Sequence, residues 1–482
     1  MDRAILALLV VTLASAGSAS AGAQLSLNDA LGQADRSAYA NRIAAAATAA
    51  QKAQAILPLK GILPSVRFEA GYVRTSDPIG VFGATLRQRT ITQANFDPQR
   101  LNYPDAVGNY QGGIVVEQPI FNADAWTGRR SARRAADASR ASEEWTRLST
   151  RVNVVQAYYG VVLAAERATT LRSAAHSAQA HLRQAEAMVR QGLVTKSDAL
   201  LASVRAGEID ADLAEAEGGA ETARRQLAVL LGGDGNAAPP VQAVPSMLPS
   251  GDRIRAVVAA DTAGLPAEPR ADVDAASRAL EAARADALRA RSAYLPRINS
   301  FVRYDWNSPN RVYSGDKNWT VGIMTSWSPF AGASELADIR VTAARAASAR
   351  AQAEVAHANA RLDVEQARTV LVVALTRLSI AERAVAQSAE ALRIVERKYA
   401  GGLASVVELL DAQAVETHSA LGFAQARYDA IVAAVERRHA LGGDPGSLEA
   451  LDEARPVAAN LWPNTMLSAS PDTFSTGRRK LS

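Results

Sequence analysis

Strict alternation of apolar and polar residues marks four short segments of the chain as β-strands. The alternation runs through residues 65–73, 110–116, 297–306 and 319–327. A period of two residues is typical of a strand with one apolar and one polar face. The predicted apolar face contains Val66, Phe68, Ala70, Tyr72, Tyr110, Gly112, Ile114, Val116, Ile298, Val302, Tyr304, Trp306, Trp319, Val321, Ile323 and Trp327. The first two segments and the last two are each predicted to pair as a β-hairpin.

Two stretches without Pro predict helices of unusual length. Residues 122–191 contain no Pro, and their only interior Gly after the opening turns is Gly160. Residues 333–399 are similarly long and also lack Pro. Because a helix rises 1.5 Å per residue, each stretch would span on the order of 100 Å. Steps of four and three residues, the heptad spacing of supercoiled helices, separate the apolar residues Leu148, Val152, Val155, Tyr159 and Val162.

Two shorter helices of the first half could stack end to end beside its long helix. They are predicted from about Ser26 to Leu57 and from Lys196 to Leu231. Small residues on their faces permit close approach of neighbouring helices, and they include Ala202, Ala206, Ala211 and Ala214. Such helices fit the wall of a tunnel, and they also fit a solid coiled-coil bundle without a lumen.

An internal repeat is visible in the chain. The Gly-Leu pair at 192–193 recurs at 402–403, and Leu-Gly-Gly-Asp at 231–234 recurs at the same offset at 441–444. Matches farther upstream keep the same order, but the first copy is longer there. The additional residues fall within 75–103, which is rich in Gly, Pro, Asn and Asp and therefore predicts a long loop.

The repeat divides the chain into corresponding segments in two halves. The predicted segments are a signal peptide (1–23), an N-terminal helix (24–63), a first β-hairpin with a long loop (64–121), a long helix with its turn and return helix (122–233), a linker (234–270), a second N-terminal helix (271–295), a second β-hairpin (296–330), a second long helix with its turn and return helix (331–443) and a poorly ordered tail (444–482).

The N-terminus predicts export. Arg3 precedes an apolar run over residues 4–14, and small residues at 19–21 and 21–23 fit a cleavage site. This pattern is typical of a secretory signal peptide, with an uncleaved anchor helix as the alternative. After residue 23 no apolar stretch is long enough for a helical membrane span, so membrane insertion would have to use β-strands.

Composition narrows the class of protein further. Hydrophobic residues make up 48% of the chain but aromatic residues only 5%, and Ala supplies much of the apolar content. Ala favours helices but fills a wide core poorly. The absence of Cys excludes disulfides, thiolate metal sites and cysteine nucleophiles. A net charge of +4, from 53 basic and 49 acidic residues, gives no reason to expect nucleic-acid binding.

Four strands cannot close a membrane barrel alone. A closed barrel with filled walls needs about eight strands, and an aqueous lumen needs more. Because open sheet edges are not tolerated in lipid, copies of the chain must combine. Three copies would give twelve strands and room for a pore. Soluble hairpins with one buried face remain the alternative interpretation of the strands themselves.

Aromatic residues near the strand ends are placed as an interfacial belt would place them. The predicted membrane-facing belt consists of Tyr72, Tyr110, Tyr304, Trp306, Trp319 and Trp327.

At this point the sequence resembles the TolC-like outer membrane efflux family. The resemblance is carried by Gln-Pro-Ile-Phe-Asn at 118–122, the two Gly-Leu turns, the Leu-Gly-Gly-Asp ends and the tandem layout. It extends from about residue 25 to 443. The resemblance implies a homotrimer with a 12-stranded β-barrel in outer membrane lipid and a 12-helix α-barrel through the periplasm. It also implies docking to a periplasmic adaptor protein that is coupled to an inner membrane pump of the RND or ABC type.

The same resemblance assigns roles to residues at the closed periplasmic tip. The two helix–helix turns would meet the adaptor, although glycine also ends helices without any partner. The matching positions are Gly192, Leu193, Thr195, Gly402, Leu403 and Ser405. Glu408 and Asp411 match acids that line the constriction, where three copies would form two carboxylate rings that favour cations. Ordinary solvated helix acids are the alternative.

Tyr399 matches a gating tyrosine, and Asp198 matches an acid that holds the gate shut. Ala404 stands where some relatives carry an Arg, so the latch cannot be the same ion pair here.

Neither an enzyme nor a resident cofactor or metal is predicted. The five His residues are scattered, and His176 and His181 are five positions apart, which directs them to different helix faces. The leading hypothesis is therefore an outer membrane exit duct for small molecules, such as drugs, toxic compounds or metal ions. Type I protein secretion in the same family and a periplasmic coiled-coil structural protein are the alternatives.

Overall fold

The computed structural model describes residues 25–234, 247–263, 270–312, 314–330 and 332–446. The predicted signal peptide and almost all of the predicted tail lie outside the described residues. Within the described ranges, no helix combines the length and the apolar character that crossing a bilayer requires.

Long helices and a small sheet make up the described chain. The first half contains α1 (Leu27–Ser37), α2 (Tyr39–Gln54), β1 (Ser65–Thr75), α3 (Pro78–Arg87), α4 (Pro98–Asn102), β2 (Val107–Phe121), α5 (Ala123–Arg190) and α6 (Lys196–Leu230). After α7 (Gly251–Ala263), the second half contains α8 (Ala271–Ser292), β3 (Arg297–Ser308), β4 (Asp316–Ser326), α9 (Ser334–Ala400) and α10 (Val406–Ala440).

The four strands form one antiparallel sheet in the order β1-β2-β3-β4. Phe68 pairs with Ile114, Ile114 pairs with Tyr304, and Tyr304 pairs with Trp319. Directly paired residues project from the same face of a sheet. The apolar residues of all four strands therefore share one face, which confirms the alternation seen in the sequence.

Each strand continues into a helix, so the sheet and the helices form one continuous layer. The hairpin turns mark what we call the outer end of the sheet, and the helices begin at its inner end. Beside the inner end, α5 packs between α2 and α8, and α8 packs on α9. Farther from the sheet, α5 packs on α6 and α10, and α10 packs on α9.

The largest hydrophobic core lies at the waist of the helical region, where α1, α5, α7, α9 and α10 meet. Val155, Tyr159 and Val162 of the predicted heptad are each only 1% exposed there. Burial of one large apolar side chain contributes roughly 1.5–3 kcal/mol. Leu27 of α1 and Ile431 of α10 complete this core from the two ends of the described chain.

Three segments differ from the sequence prediction. The single helix predicted within 24–63 is broken at Ala38, whose ψ of 132° is not helical. This break allows α1 to bury its apolar face at the waist while α2 follows the upper part of α5, where Thr48 donates to the Ser139 carbonyl. The predicted loop within 75–103 contains α3 and α4.

The third difference is α7, a helix inside the segment 234–270, which the sequence predicts only as a linker. A buried ion pair between Glu166 and Arg427 fixes the residues that precede it. The Leu248 amide donates to Glu166 over 3.0 Å, and Arg427 donates to the Leu248 carbonyl over 3.0 Å. Ile254 and Val257 of α7 are consequently buried in the waist core.

Candidate functional site

Two sharp turns form the end of the molecule farthest from the sheet. Gly192 and Gly402 follow α5 and α9 with φ values of +74° and +72°, in the left-handed region that favours glycine. Leu193 N donates to the Met188 carbonyl over 2.9 Å, and Leu403 N donates to the Lys398 carbonyl over 2.8 Å. These bonds complete a Schellman motif at each turn, so both glycines have a structural role as helix stops.

Each return helix begins with a capping box. Asp198 N donates to Thr195 Oγ1 over 3.3 Å, and Thr195 N donates to Asp198 Oδ2 over 3.0 Å. Ser405 and Glu408 repeat the arrangement, with both bonds at 3.2 Å. Reciprocal bonds of this kind satisfy two backbone N–H groups that a helix start otherwise leaves unpaired. This role was not predicted from the sequence, although Ser or Thr followed three residues later by Asp or Glu is its signature.

A hydrophobic cluster joins the two turns. Tyr399 is 7% exposed and packs with Val406, Leu409 and Ala185. Its hydroxyl donates to Met188 Sδ over 3.4 Å, which connects the end of α9 to the end of α5. Burial raises the pKa of Tyr399, and the nearby Asp198 carboxylate raises this pKa further. The predicted gate residues Tyr399 and Asp198 thus interact electrostatically, and the tyrosine is protonated at neutral pH.

The other predicted tip residues lie on the surface. Leu193 is 65% exposed and Leu403 is 82% exposed, although both are large aliphatic residues. Glu408 and Asp411 lie three positions apart on the exposed side of α10. Within the described ranges, neither carboxylate forms an ion pair with Arg or Lys. The tip therefore presents two exposed leucines and two uncompensated negative charges per chain.

The predicted aromatic belt separates into two levels. Tyr72 and Tyr110 lie with ring centroids 4.6 Å apart, Tyr304 and Trp306 lie 6.5 Å apart, and Trp319 is the β4 partner of Tyr304. These five residues are in the outer half of the sheet. Trp327 lies at the inner end, where its indole donates to the Tyr294 carbonyl over 3.1 Å.

A further inner-end aromatic was missed in the sequence. Trp126 in the first turn of α5 is 48% exposed, and its ring contacts Phe121 at 5.6 Å. The position of Trp126 falls outside the strand alternation, so only its place just after a predicted strand could have indicated it.

The two aromatic levels are separated along the sheet. At about 3.3 Å per residue, Trp319 and Trp327 are separated by roughly 26 Å along the strand. Because barrel strands tilt by about 35–45°, this separation corresponds to a height of roughly 20 Å across a membrane, somewhat less than the apolar band of about 25 Å.

The opposite face of the sheet carries compensated charges. Arg303 lies 3.3 Å from Glu69 and 3.0 Å from Asp305, and Arg67 lies 3.6 Å from Glu69. Within the described part of the chain, no group of three or more His, Asp or Glu side chains is placed to hold a metal ion. This arrangement of paired charges suits a water-lined wall.

Large apolar surfaces remain uncovered on the elements at the two sides of the layer. Helices α5 and α9 have 68 and 67 residues, yet α5 buries far more of its side chains. The exposed apolar residues of α9 are Leu336, Val341, Val355, Leu362, Val370, Val372, Val373, Ile380 and Ile394. Strands β1 and β4 each have one unpaired edge. Both sides of the layer are therefore suited to contact other copies of the chain.

Comparison with known proteins agrees with this architecture. The family model described as outer membrane efflux protein matches residues 40–233 and 267–443. Comparison with curated protein sequences gives no significant match.

Solved outer membrane proteins share the fold. The CmeC channel of Campylobacter jejuni is 17% identical with a TM-score of 0.72, over 89% of this chain and 87% of that chain. VceC of Vibrio cholerae is 18% identical with a TM-score of 0.70, over 86% and 96%. The open-state MtrE channel of Neisseria gonorrhoeae is 20% identical with a TM-score of 0.68, over 87% and 89%.

Proposed function

The chain belongs to the outer membrane efflux protein family, and from this premise we propose that it is the exit duct of a tripartite efflux pump. The sheet lies in the outer membrane, and the long helices extend into the periplasm. The duct passively conducts small molecules, such as drugs, toxic compounds or metal ions, to the exterior. Its partners are a periplasmic adaptor and an inner membrane pump.

One observation carries the proposal above all: each strand continues into a helix within a single layer whose two sides remain open. Unpaired strand edges are not tolerated in lipid, so β1 of one copy must pair with β4 of the next. Three copies would give a barrel of twelve strands, with enough room for water inside. The exposed apolar residues of α9 would then be buried against the neighbouring copy.

In this assembly the tip acts as the gate. Glu408 and Asp411 of three copies would form two negatively charged rings around the axis, and such rings favour cations. Tyr399 and Asp198 would hold the two turns together in the closed state. The support for this assignment is the uncompensated charge of Glu408 and Asp411 and the shared cluster around Tyr399.

The exposed tip leucines are proposed to meet the adaptor. Leu193 and Leu403 project from turns that Gly192, Thr195, Gly402 and Ser405 hold in a defined conformation. Exposed leucines on rigid turns supply apolar contact area at little entropic cost.

Two measurements test the proposed function. Protein extracted from outer membranes in detergent should form ion-conducting pores in planar bilayers, and a soluble periplasmic monomer would contradict the duct.

The adaptor site is tested by cross-linking to the adaptor in cells. The double variant L193E/L403E should lose adaptor cross-linking and keep pore formation. The control I79E changes an equally exposed aliphatic residue of α3, at the outer end, and should keep both.

A further inference from the structure

The segment between β1 and β2 folds inward over the polar face of the sheet instead of extending away from it. Its first helix, α3, is capped at its N-terminus by Asp77, whose carboxylate accepts from Gly80 N over 2.7 Å. The rings of Phe82 and Phe96 meet at 5.9 Å, and Val81 and Ala84 are buried. Residues 76–106, which we call the outer cap, therefore have a small core of their own. The second hairpin has only residues 309–315 at the corresponding place.

A buried ladder of amide side chains attaches the outer cap to the polar face. Gln88, only 4% exposed, donates to the Gly108 carbonyl over 3.0 Å and to Asn109 Oδ1 over 2.9 Å. Asn109 in turn donates to Asn307 Oδ1 over 2.8 Å. Asn109 and Asn307 alternate with the apolar residues of β2 and β3, so they lie on the face opposite the aromatic belt. A buried, paired amide network specifies one orientation of the cap.

A strained arginine forms the second attachment. Arg89 has a φ of +53° at the end of α3, where Thr90 N donates to the Thr85 carbonyl over 3.0 Å. The corresponding turns of the chain use glycine, at positions 192, 232, 402 and 442. A non-glycine residue in this conformation is strained, because its Cβ lies too close to the following carbonyl oxygen. The guanidinium of Arg89 lies 3.6 Å from Asp316 at the start of β4, so the arginine side chain ties the cap to the second hairpin.

The cap also places a positive charge over the polar face. Arg87 lines a cavity of about 510 Å³ together with Glu69, Arg303, Asp305 and Thr320. Glu69 and Asp305 already pair with Arg303. Among the described residues, Arg87 has no ion-pair partner and is exposed, so its charge acts on whatever enters this space.

We propose that the outer cap narrows the exit of the duct and that Arg87 gives this opening an affinity for small anionic solutes. The inference rests on the proposed function, because only an assembled duct turns the polar face into a lumen. Three copies would place three Arg87 side chains around one axis, and rings of Arg favour anions. The outer opening of the duct would then carry positive charge, whereas the tip carries negative charge. An organic anion leaving the duct would contact the outer opening last.

The test uses the full-length protein in planar bilayers, with inorganic tripolyphosphate added on the outer side. Wild-type pores should be blocked by the anion, and the half-blocking concentration for R87E should be at least roughly tenfold higher, as expected for loss of a charge-assisted contact. The matched control is the same charge reversal at Arg74, R74E, because Arg74 projects from the same hairpin on the opposite face. It should be blocked like the wild type.

Two further variants test the cap itself. R89G, which relieves the strained turn while removing the contact with Asp316, should show weaker and more variable block. Replacement of residues 76–106 by residues 309–315 should abolish the block.

Equal block of the wild type and R87E would overturn the outer-cap inference while leaving the duct intact. A wild type that forms no pores would contradict the duct itself.

Discussion

At the residue scale, Glu408 serves two purposes that must be separated. Its carboxylate accepts from Ser405 N over 3.2 Å and caps α10, and it remains exposed as a negative charge. Asp411, one turn later, is exposed and is not part of the capping box. Substitution at these two positions therefore affects the charge of the tip and, at Glu408, also the start of the helix.

The double variant E408Q/D411N should weaken cation selectivity and reduce block by multivalent cations added from the tip side. The amide oxygen of Gln can still accept the capping bond, so folding is kept. The control S405A keeps both charges and loses the capping hydroxyl. It should lower stability by about 1 kcal/mol without changing selectivity. Single-channel reversal potentials measure the selectivity, and unchanged values in E408Q/D411N would discard the gate assignment.

His439 should make stability depend on pH. It stacks on Trp145 with ring centroids 4.1 Å apart and lies 3.2 Å from Ser149 Oγ. Burial lowers the pKa of His439, and the positive charge of Arg270 lowers it further. The unfolded chain, with its histidine pKa near 6.5, binds the proton more readily, so this contribution to stability falls as the pH drops below about 6.5.

Thermal unfolding of wild type and H439Q between about pH 7.5 and 5 measures this contribution. The wild type should lose more stability than H439Q on acidification, because Gln cannot take up the proton. Parallel loss in both proteins would contradict the assigned role of His439.

At the element scale, the tip turns depend on backbone conformation rather than on space. A Cβ at Gly192 or Gly402 would meet no atom within 4 Å, yet both residues have positive φ. G402A should therefore destabilise the protein by roughly 1–2 kcal/mol through backbone strain alone.

Gly160 also has open space, but it lies inside α5 with helical conformation. G160A should stabilise by roughly 0.5–1 kcal/mol. Denaturant titration compares the two variants, and equal effects would contradict this explanation.

Long regular elements were predictable because their patterns continue over many residues. Helix α5 was predicted over 122–191 and spans Ala123–Arg190, and the apolar face of the sheet was predicted strand by strand. The break at Ala38 carries no Gly or Pro signal. Helix α7 is held by Glu166 and Arg427, which are far from it in sequence, so no local pattern could show it.

Some structure was missed although its signal was present. The predicted loop within 75–103 contains Asp77-Pro78 and Asp97-Pro98, and each pair caps and starts a short helix. The capping boxes at Thr195 and Ser405 were likewise readable from sequence. The hydrogen bond from Tyr399 to Met188 depends on how the two helical hairpins pack together. The spacing of residues in the sequence does not show that packing.

At the scale of the whole molecule, one chain leaves its own surface incomplete. The middle of the layer is packed, with Tyr158 and Tyr159 of α5 nearly inaccessible, whereas α9 exposes apolar residues along its length. A lone chain would therefore expose both unpaired strand edges and an apolar helix face. Closure by identical copies removes both defects with one kind of interface.

Electron microscopy of detergent-extracted particles tests this closure most directly. We expect end-on views with threefold symmetry around a central opening, and side views with a long helical stem below a short barrel. Particles that consist of a single chain, or a rod of packed helices without an opening, would contradict it.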